Sequence, residues 1–277
     1  MSEALAAARV EHLGDRVLGL VDRCGAFVLL AGQSVRSLWH RGFPWRATLE
    51  QIAAVGAQST PIVAVTAFFT GMVLALQTAF ALARFGAKPY VGSIVGLAIV
   101  RELGPVLAAL MVAGRVGAGI ASELGSMKVT EQVDAIRAMG ADPVQKLVLP
   151  RVIASTLALP LLTIFSVVLG VLGGMLVADL QYSISPSFYL TTVTTSVEIG
   201  DFFAGVTKTL FFGWWIAMVG CWVGLNTEGG TAGVGRSTTR AVVVSSIGVL
   251  ISDYFLTRLL MLLPGELLLG LILRRGS

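Results

Sequence analysis

An all-α integral membrane protein is the fold this sequence predicts. It consists of an N-terminal interfacial amphipathic helix, five transmembrane helices, and a short cytoplasmic helix between the second and third spans. Three observations carry that expectation. The 277 residues are 55% hydrophobic and only 13% charged, about half the roughly 25% charge of an average soluble domain, with a mean hydropathy of +0.83. Five apolar runs are each longer than the ~20 residues that cross a ~30 Å hydrocarbon core. Lys and Arg also concentrate in alternate connections. This composition excludes a water-soluble globule and a disordered chain. The net charge of +4 is spread through connections between apolar runs, as membrane topology requires, and is no nucleic-acid footprint. Cys24 and Cys221 form no CxxC pair and read as apolar fillers.

Along the chain, residues 1–50 are too charged for a signal peptide, with Arg9, Glu11, Asp15, Arg16, Asp22 and Arg23. Val10, Leu13, Val17, Leu20, Cys24 and Phe27 recur at helical spacing, which describes an amphipathic helix. It either lies in the membrane interface, with Trp39 and Trp45 at headgroup level, or packs on the rest of the protein. The membrane domain then covers 51–263, with spans at about 52–82, 91–121, 152–178, 202–225 and 241–263, and residues 264–277 form a tail. Gly and Pro inside the spans are tolerated in lipid, and small residues let helices approach closely.

Basic residues set the orientation. With the N-terminus inside, segments 1–51, 122–151 and 226–240 carry six, four and two Lys or Arg, against two, none and two on the outside. Twelve against four predicts N-in and C-out. The 179–201 connection has Asp179, Glu198 and Asp201 but no base, and reads as an outside loop.

Two regions offer chemistry. Residues 129–140, VTEQVDAIRAMG, read as a helix of about ten residues. Thr130 is placed to cap it, Glu131 to suit its dipole, and Gly140 to end it. Val129, Val133, Ile136 and Met139 make an apolar side; Glu131, Gln132, Asp134 and Arg137 lie around the other. This is either a peg for a partner's groove or a connector. The second region is inside the spans, where ionisable groups are costly. Arg101 lies near mid-membrane beside Glu102, with Lys208 in the fourth span and Asp253 in the fifth. They either line a cavity for a charged headgroup or form structural ion pairs. Adjacent helical positions diverge by about 100°, so Arg101 and Glu102 need further partners.

Other chemistries fail on inventory. GTAGVGRS at 230–237 resembles a phosphate-binding loop, but Arg236 replaces its lysine and a membrane span precedes it, so it reads as a flexible Gly-rich loop. His12 and His40 are the only histidines, too few for a histidine-rich metal site. A secondary transporter would also carry intramembrane charge but would need no peg. A lipid-modifying enzyme would need a nucleophile or acid–base pair that the spans lack.

The segments GMVLALQ (71–77), RELGPVLAALMVAGRVGAGIASELGSMKVTEQVDAIRAMGADP (101–143), LVLPR (147–151) and RSTTRAVVVSSIGVLISDYFLT (236–257) resemble the MlaE/YrbE family. These are permease subunits of bacterial phospholipid ABC transporters that work with mammalian-cell-entry (MCE) proteins. The resemblance implies a homodimer of five-span subunits in the bacterial inner membrane, with a cytoplasmic N-terminus. It implies no catalytic residue and no cofactor in this chain, ATP and Mg being held by a separate cytoplasmic ATPase subunit. That partner would grip a coupling helix at 130–139, through Glu131, Val133, Asp134, Ile136, Arg137 and Met139. A periplasmic MCE hexamer and a STAS-domain protein are the other implied partners. The implied lipid cavity includes Leu82, Phe85, Arg101, Glu102 and Lys208. The implied role is ATP-driven phospholipid movement serving outer-membrane lipid asymmetry, with a steroid or other hydrophobic cargo as the alternative.

Overall fold

In lipid, a long apolar run satisfies its backbone hydrogen bonds by closing into a helix. The computed structural model describes residues 21–22, 25–37 and 45–262, and every regular element among them is helical. In order these are α1 (25–37), α2 (Trp45–Ala83), α3 (Lys88–Val129), α4 (Gln132–Ala138), α5 (Val144–Tyr182), α6 (Pro186–Ser196), α7 (Ile199–Leu225) and α8 (Gly230–Leu262). Helices α2, α3, α5, α7 and α8 have 39, 42, 39, 27 and 33 residues and are long and apolar enough to cross a membrane. The all-α, five-span expectation therefore holds. Val10, Leu13, Val17, Leu20, Cys24, Trp39 and the 264–277 tail lie outside the described residues.

Helix α3 runs through the middle of the bundle, in contact with α2, α5, α7 and α8. Its winding loosens to π geometry at Ile99–Leu103 and again at Ala113–Gly117. One apolar core, around Val112, Leu124, Val133, Leu159, Phe212 and Ile216, fills the half of the bundle that carries α4. Another, around Ala75, Val95, Ile99, Val177, Tyr189 and Val193, fills the half that carries α6. Phe27 of α1 packs on Trp214, Trp215 and Trp222, which fixes this part of the N-terminal region against α7.

Apolar side chains gain little by leaving lipid for another apolar surface, so close backbone approach holds the bundle. The α2–α5 contact is the most extensive. A Cβ on Gly71 would run into the backbone carbonyl of Gly170, and one on Gly173 into that of Phe68. Neither obstacle is a side chain that could swing away. Gly71→Ala is expected to destabilise the bundle by about 2–3 kcal/mol, the upper range for overpacking. Gly56→Ala, at a glycine of α2 with nothing within 4 Å of its Cβ position, should leave the thermal midpoint in detergent unchanged. Equal midpoints for the two variants would contradict this packing account.

Two stretches differ from the sequence expectation. Residues 230–237 are not a flexible loop but the first two turns of α8. The left-handed backbone falls on Gly229 and Gly230, at φ 84° and 66°, and Gly233 is buried against the Glu228 carbonyl. The glycines serve the tight α7–α8 turn and its packing. The 179–201 connection is also not all loop, because it contains α6. Its Ser and Thr residues are poor helix formers, which hides it from a periodicity reading. Pro186 opens the helix, Tyr189 and Val193 bury one face, and hydroxyls such as Thr191 and Thr195 bond back to the carbonyls of Ser187 and Thr191 at 2.8 Å.

Candidate functional site

At the α6 end, the start of α7 meets the π-wound part of α3 and the last turns of α8. Glu198 and Asp201 cap α7 reciprocally. Asp201 Oδ2 accepts the Glu198 backbone N–H at 3.2 Å, while its Oδ1 takes Arg101 Nη2 at 2.7 Å. The cap thus holds the arginine, whose side chain remains 46% exposed.

Two helical turns further along α7, Lys208 is 2% exposed. It donates to Glu102 Oε2, Asp253 Oδ1 and Thr257 Oγ1, each at 2.9 Å. All three ammonium hydrogens are therefore used. Thr257 in turn donates to Glu102 Oε1 at 3.1 Å. The network ties α3, α7 and α8 together and satisfies charges that would otherwise be prohibitive at this depth. These side chains surround a cleft of ≈ 290 Å³, lined by two cations, Arg101 and Lys208, and three carboxylates, Glu102, Glu198 and Asp201, with Leu260 and Met261 on its apolar side. A predominantly apolar groove of ≈ 520 Å³ lies on α7 and α8 nearby, between Phe211, Trp215, Ile251 and Phe255.

The structure thus brings together Arg101, Glu102 and Lys208. It does not bring Leu82 or Phe85 to this cleft. Leu82 packs against the core at the α6 end, and Phe85 is 83% exposed in the α2–α3 turn. Arg101 and Glu102 do find separate partners, as their angular separation requires. Sequence reasoning missed Asp201 and Thr257 as members of the site. Asp201 was assigned to a loop, and Thr257 carries no charge to mark it inside a span.

The second candidate is α4, at the opposite end. It begins at Gln132, because Glu131 takes the left-handed backbone (φ 60°) and no side chain caps the helix. Thr130 does not cap it either. Its hydroxyl donates back to Ser126 at 2.8 Å and so belongs to the end of α3. Gly140, at φ 75°, ends the turn as expected. Asp134 accepts Lys128 Nζ at 2.9 Å and Arg137 Nη1 at 3.2 Å. The Lys128 hydrogen bond, more than charge alone, holds the Asp134 carboxyl below its ordinary range, so this clamp persists until strongly acid pH.

The apolar residues of 129–140 do not form one face. Val129 ends α3, Val133 is 1% exposed within the core, and Ile136 is half-buried against it. Met139 is 75% exposed and points away from the bundle. Arg151, 7% exposed, bonds Glu123 at 2.8 Å and the Leu147 carbonyl at 2.6 Å, bracing α5 against α3 beside α4.

These features define a multi-pass membrane protein with a charged cleft at one end of the bundle and a short docked helix at the other. Residues 48–259 match the family Permease MlaE, and the chain belongs to it. It is 42% identical over 249 residues to a protein of Synechocystis named as a probable ABC transporter permease, covering 90% of this chain and 95% of that one. A protein of Rickettsia bellii with the same description is 42% identical over 247 residues, covering 89% and 95%. The chloroplastic protein trigalactosyldiacylglycerol 1 of Arabidopsis thaliana is 38% identical over 229 residues, covering 83% of this chain and 65% of that one.

Proposed function

We propose that this chain is the membrane permease subunit of a lipid ABC transporter. It passes phospholipid between the bacterial inner membrane and a periplasmic MCE hexamer, in the service of outer-membrane lipid asymmetry. ATP hydrolysis takes place on a separate cytoplasmic ATPase subunit, which a STAS-domain protein accompanies. The chain works as a homodimer, with its N-terminus and α4 in the cytoplasm and α6 in the periplasm.

The observation that carries the lipid reading is the cleft at the α6 end. Arg101 is held by Asp201 yet half exposed, so it can present a guanidinium edge to a phosphate. The carboxylates Glu102 and Glu198 line the same space and suit the ammonium of a zwitterionic headgroup. The neighbouring apolar groove has room for acyl chain. A steroid offers no group for this density of charge. On the cytoplasmic side, Gln132 and Arg137 of α4 and Met139 just after it are exposed. Val133 and Ile136 root the helix in the core, so a partner's movement against α4 passes directly into α3 and α5. ATP-driven closure of the partner then narrows the cavity between the two copies and moves lipid.

Proteoliposomes holding this chain with its ATPase test the reading. Arg101→Ala should reduce ATP-dependent transfer of a labelled phospholipid by about tenfold, the loss of one charge-assisted contact, with the thermal midpoint nearly kept. Transfer at the native rate would remove the cleft from the lipid path.

A further inference from the structure

Arg115 lies on α3 fourteen residues beyond Arg101, about 20 Å away along the helix. Its guanidinium donates to Gln58 Oε1 at 2.6 Å and Ser59 Oγ at 3.1 Å, both neutral groups of α2. Among the described residues it makes no ion pair. Like Arg101, it sits in a π-wound segment, a distortion frequent at functional sites. Its side chain is half-buried and Gln58 is exposed. Gly114 and Gly119, beside it and one turn on, are exposed and carry no side chain to cover that surface.

Its depth follows from helix geometry. A ~30 Å core takes about twenty residues. Counted along α3 from Val91, it ends near residue 111, about four residues before Arg115. Counted back along α2 from Leu82, it ends near residue 62, three or four residues short of Ser59 and Gln58. Both helices place this cluster at the α4-side end of their apolar spans, from which a long arginine side chain reaches the headgroup layer of that leaflet. An arginine there with only neutral partners lacks a counter-anion, and the layer supplies phosphates.

We infer that Arg115, with Gln58, is a docking station for the phosphate of a phospholipid in the cytoplasmic leaflet, on the same helix as the Arg101 cleft and a leaflet away from it. Arg115 presents the free edge of its guanidinium to the phosphate, while Gln58 and Ser59 fix the guanidinium plane. This deepens the lipid-permease reading and rests on it.

Delipidated full-length chain, titrated with phosphatidylglycerol and weighed intact by native mass spectrometry, tests the inference. Arg115→Gln should bind one site about tenfold more weakly than the native chain, and Arg115→Lys, which keeps the charge, should recover most of the loss. Diacylglycerol, which has no phosphate, should discriminate little between the native chain and Arg115→Gln. Unchanged binding in Arg115→Gln, with a loss in Arg101→Gln, would overturn this inference alone. No saturable phosphatidylglycerol binding to the native chain would overturn the lipid-permease reading with it. Displacement of the lipid by millimolar inorganic phosphate would make the station one for free phosphate and overturn the lipid assignment. A loss in Arg115→Lys equal to that in Arg115→Gln would show a structural role instead.

Discussion

Lys208→Met is expected to destabilise the protein by about 3–5 kcal/mol, the loss found when one partner of a buried charge cluster is removed. Lys208 is 2% exposed and satisfies two carboxylates and a hydroxyl at once. Its removal leaves Glu102 and Asp253 facing each other across the space it filled. The thermal midpoint in detergent should fall sharply and lipid transfer should be abolished. Asp253→Asn in the Lys208→Met background removes one of the stranded charges and should restore part of the lost stability, with a coupling of roughly 1–3 kcal/mol between the two sites. Additive effects would mean that the two groups do not interact in the working protein.

Met139→Glu should leave folding intact and uncouple transport from ATP hydrolysis. Met139 is 75% exposed at the end of α4, so a charge there meets water in the free chain and is expected to meet a buried interface in the proposed complex. An unpaired carboxylate at such an interface costs several kcal/mol. Lipid-stimulated ATPase of the complex should therefore fall by a hundredfold or so, as about 3 kcal/mol implies, while the isolated chain melts as before. Ile136→Glu is a poorer test, because Ile136 packs on the chain's own core and its replacement would disturb folding and coupling together. Native ATPase activity in the Met139→Glu complex would refute the peg.

How much of this was legible in the sequence follows from what leaves a mark there. The spans did, because hydrocarbon demands apolar runs of a set length. Arg101, Glu102, Lys208 and Asp253 also did, because charge inside such runs is rare and needs a reason. Their assembly into one cleft was not legible. It depends on α7 entering the bundle beside the π-wound turn of α3, and no periodicity encodes that winding. Helix α6 escaped notice because its Ser and Thr residues suggest a loop, whereas Tyr189 and Val193, four residues apart, seat it on the core.

On α4 the apolar residues were legible but their direction was not. Val133 and Met139 look alike in a list of hydrophobic positions, yet one is 1% and the other 75% exposed. The left-handed Glu131 rotates the helix start, and no capping signal announces that turn. The glycines of 230–237 were misread for a related reason: small residues promise flexibility in water, but here they let α8 begin tight against the preceding turn. Arg115 carried the same mark as Arg101, an arginine within an apolar run, but its neutral neighbours Gln58 and Ser59 lie on another helix.

Mass spectrometry of what co-purifies with the tagged chain, after gentle extraction from its native membrane, tests whether this is a lipid permease powered by a partner. A nucleotide-binding subunit, an MCE-domain protein and bound phospholipid are expected in one particle containing two copies of this chain. A chain recovered with neither ATPase subunit nor lipid would contradict the permease reading, and would leave the exposed end of α4 without a partner.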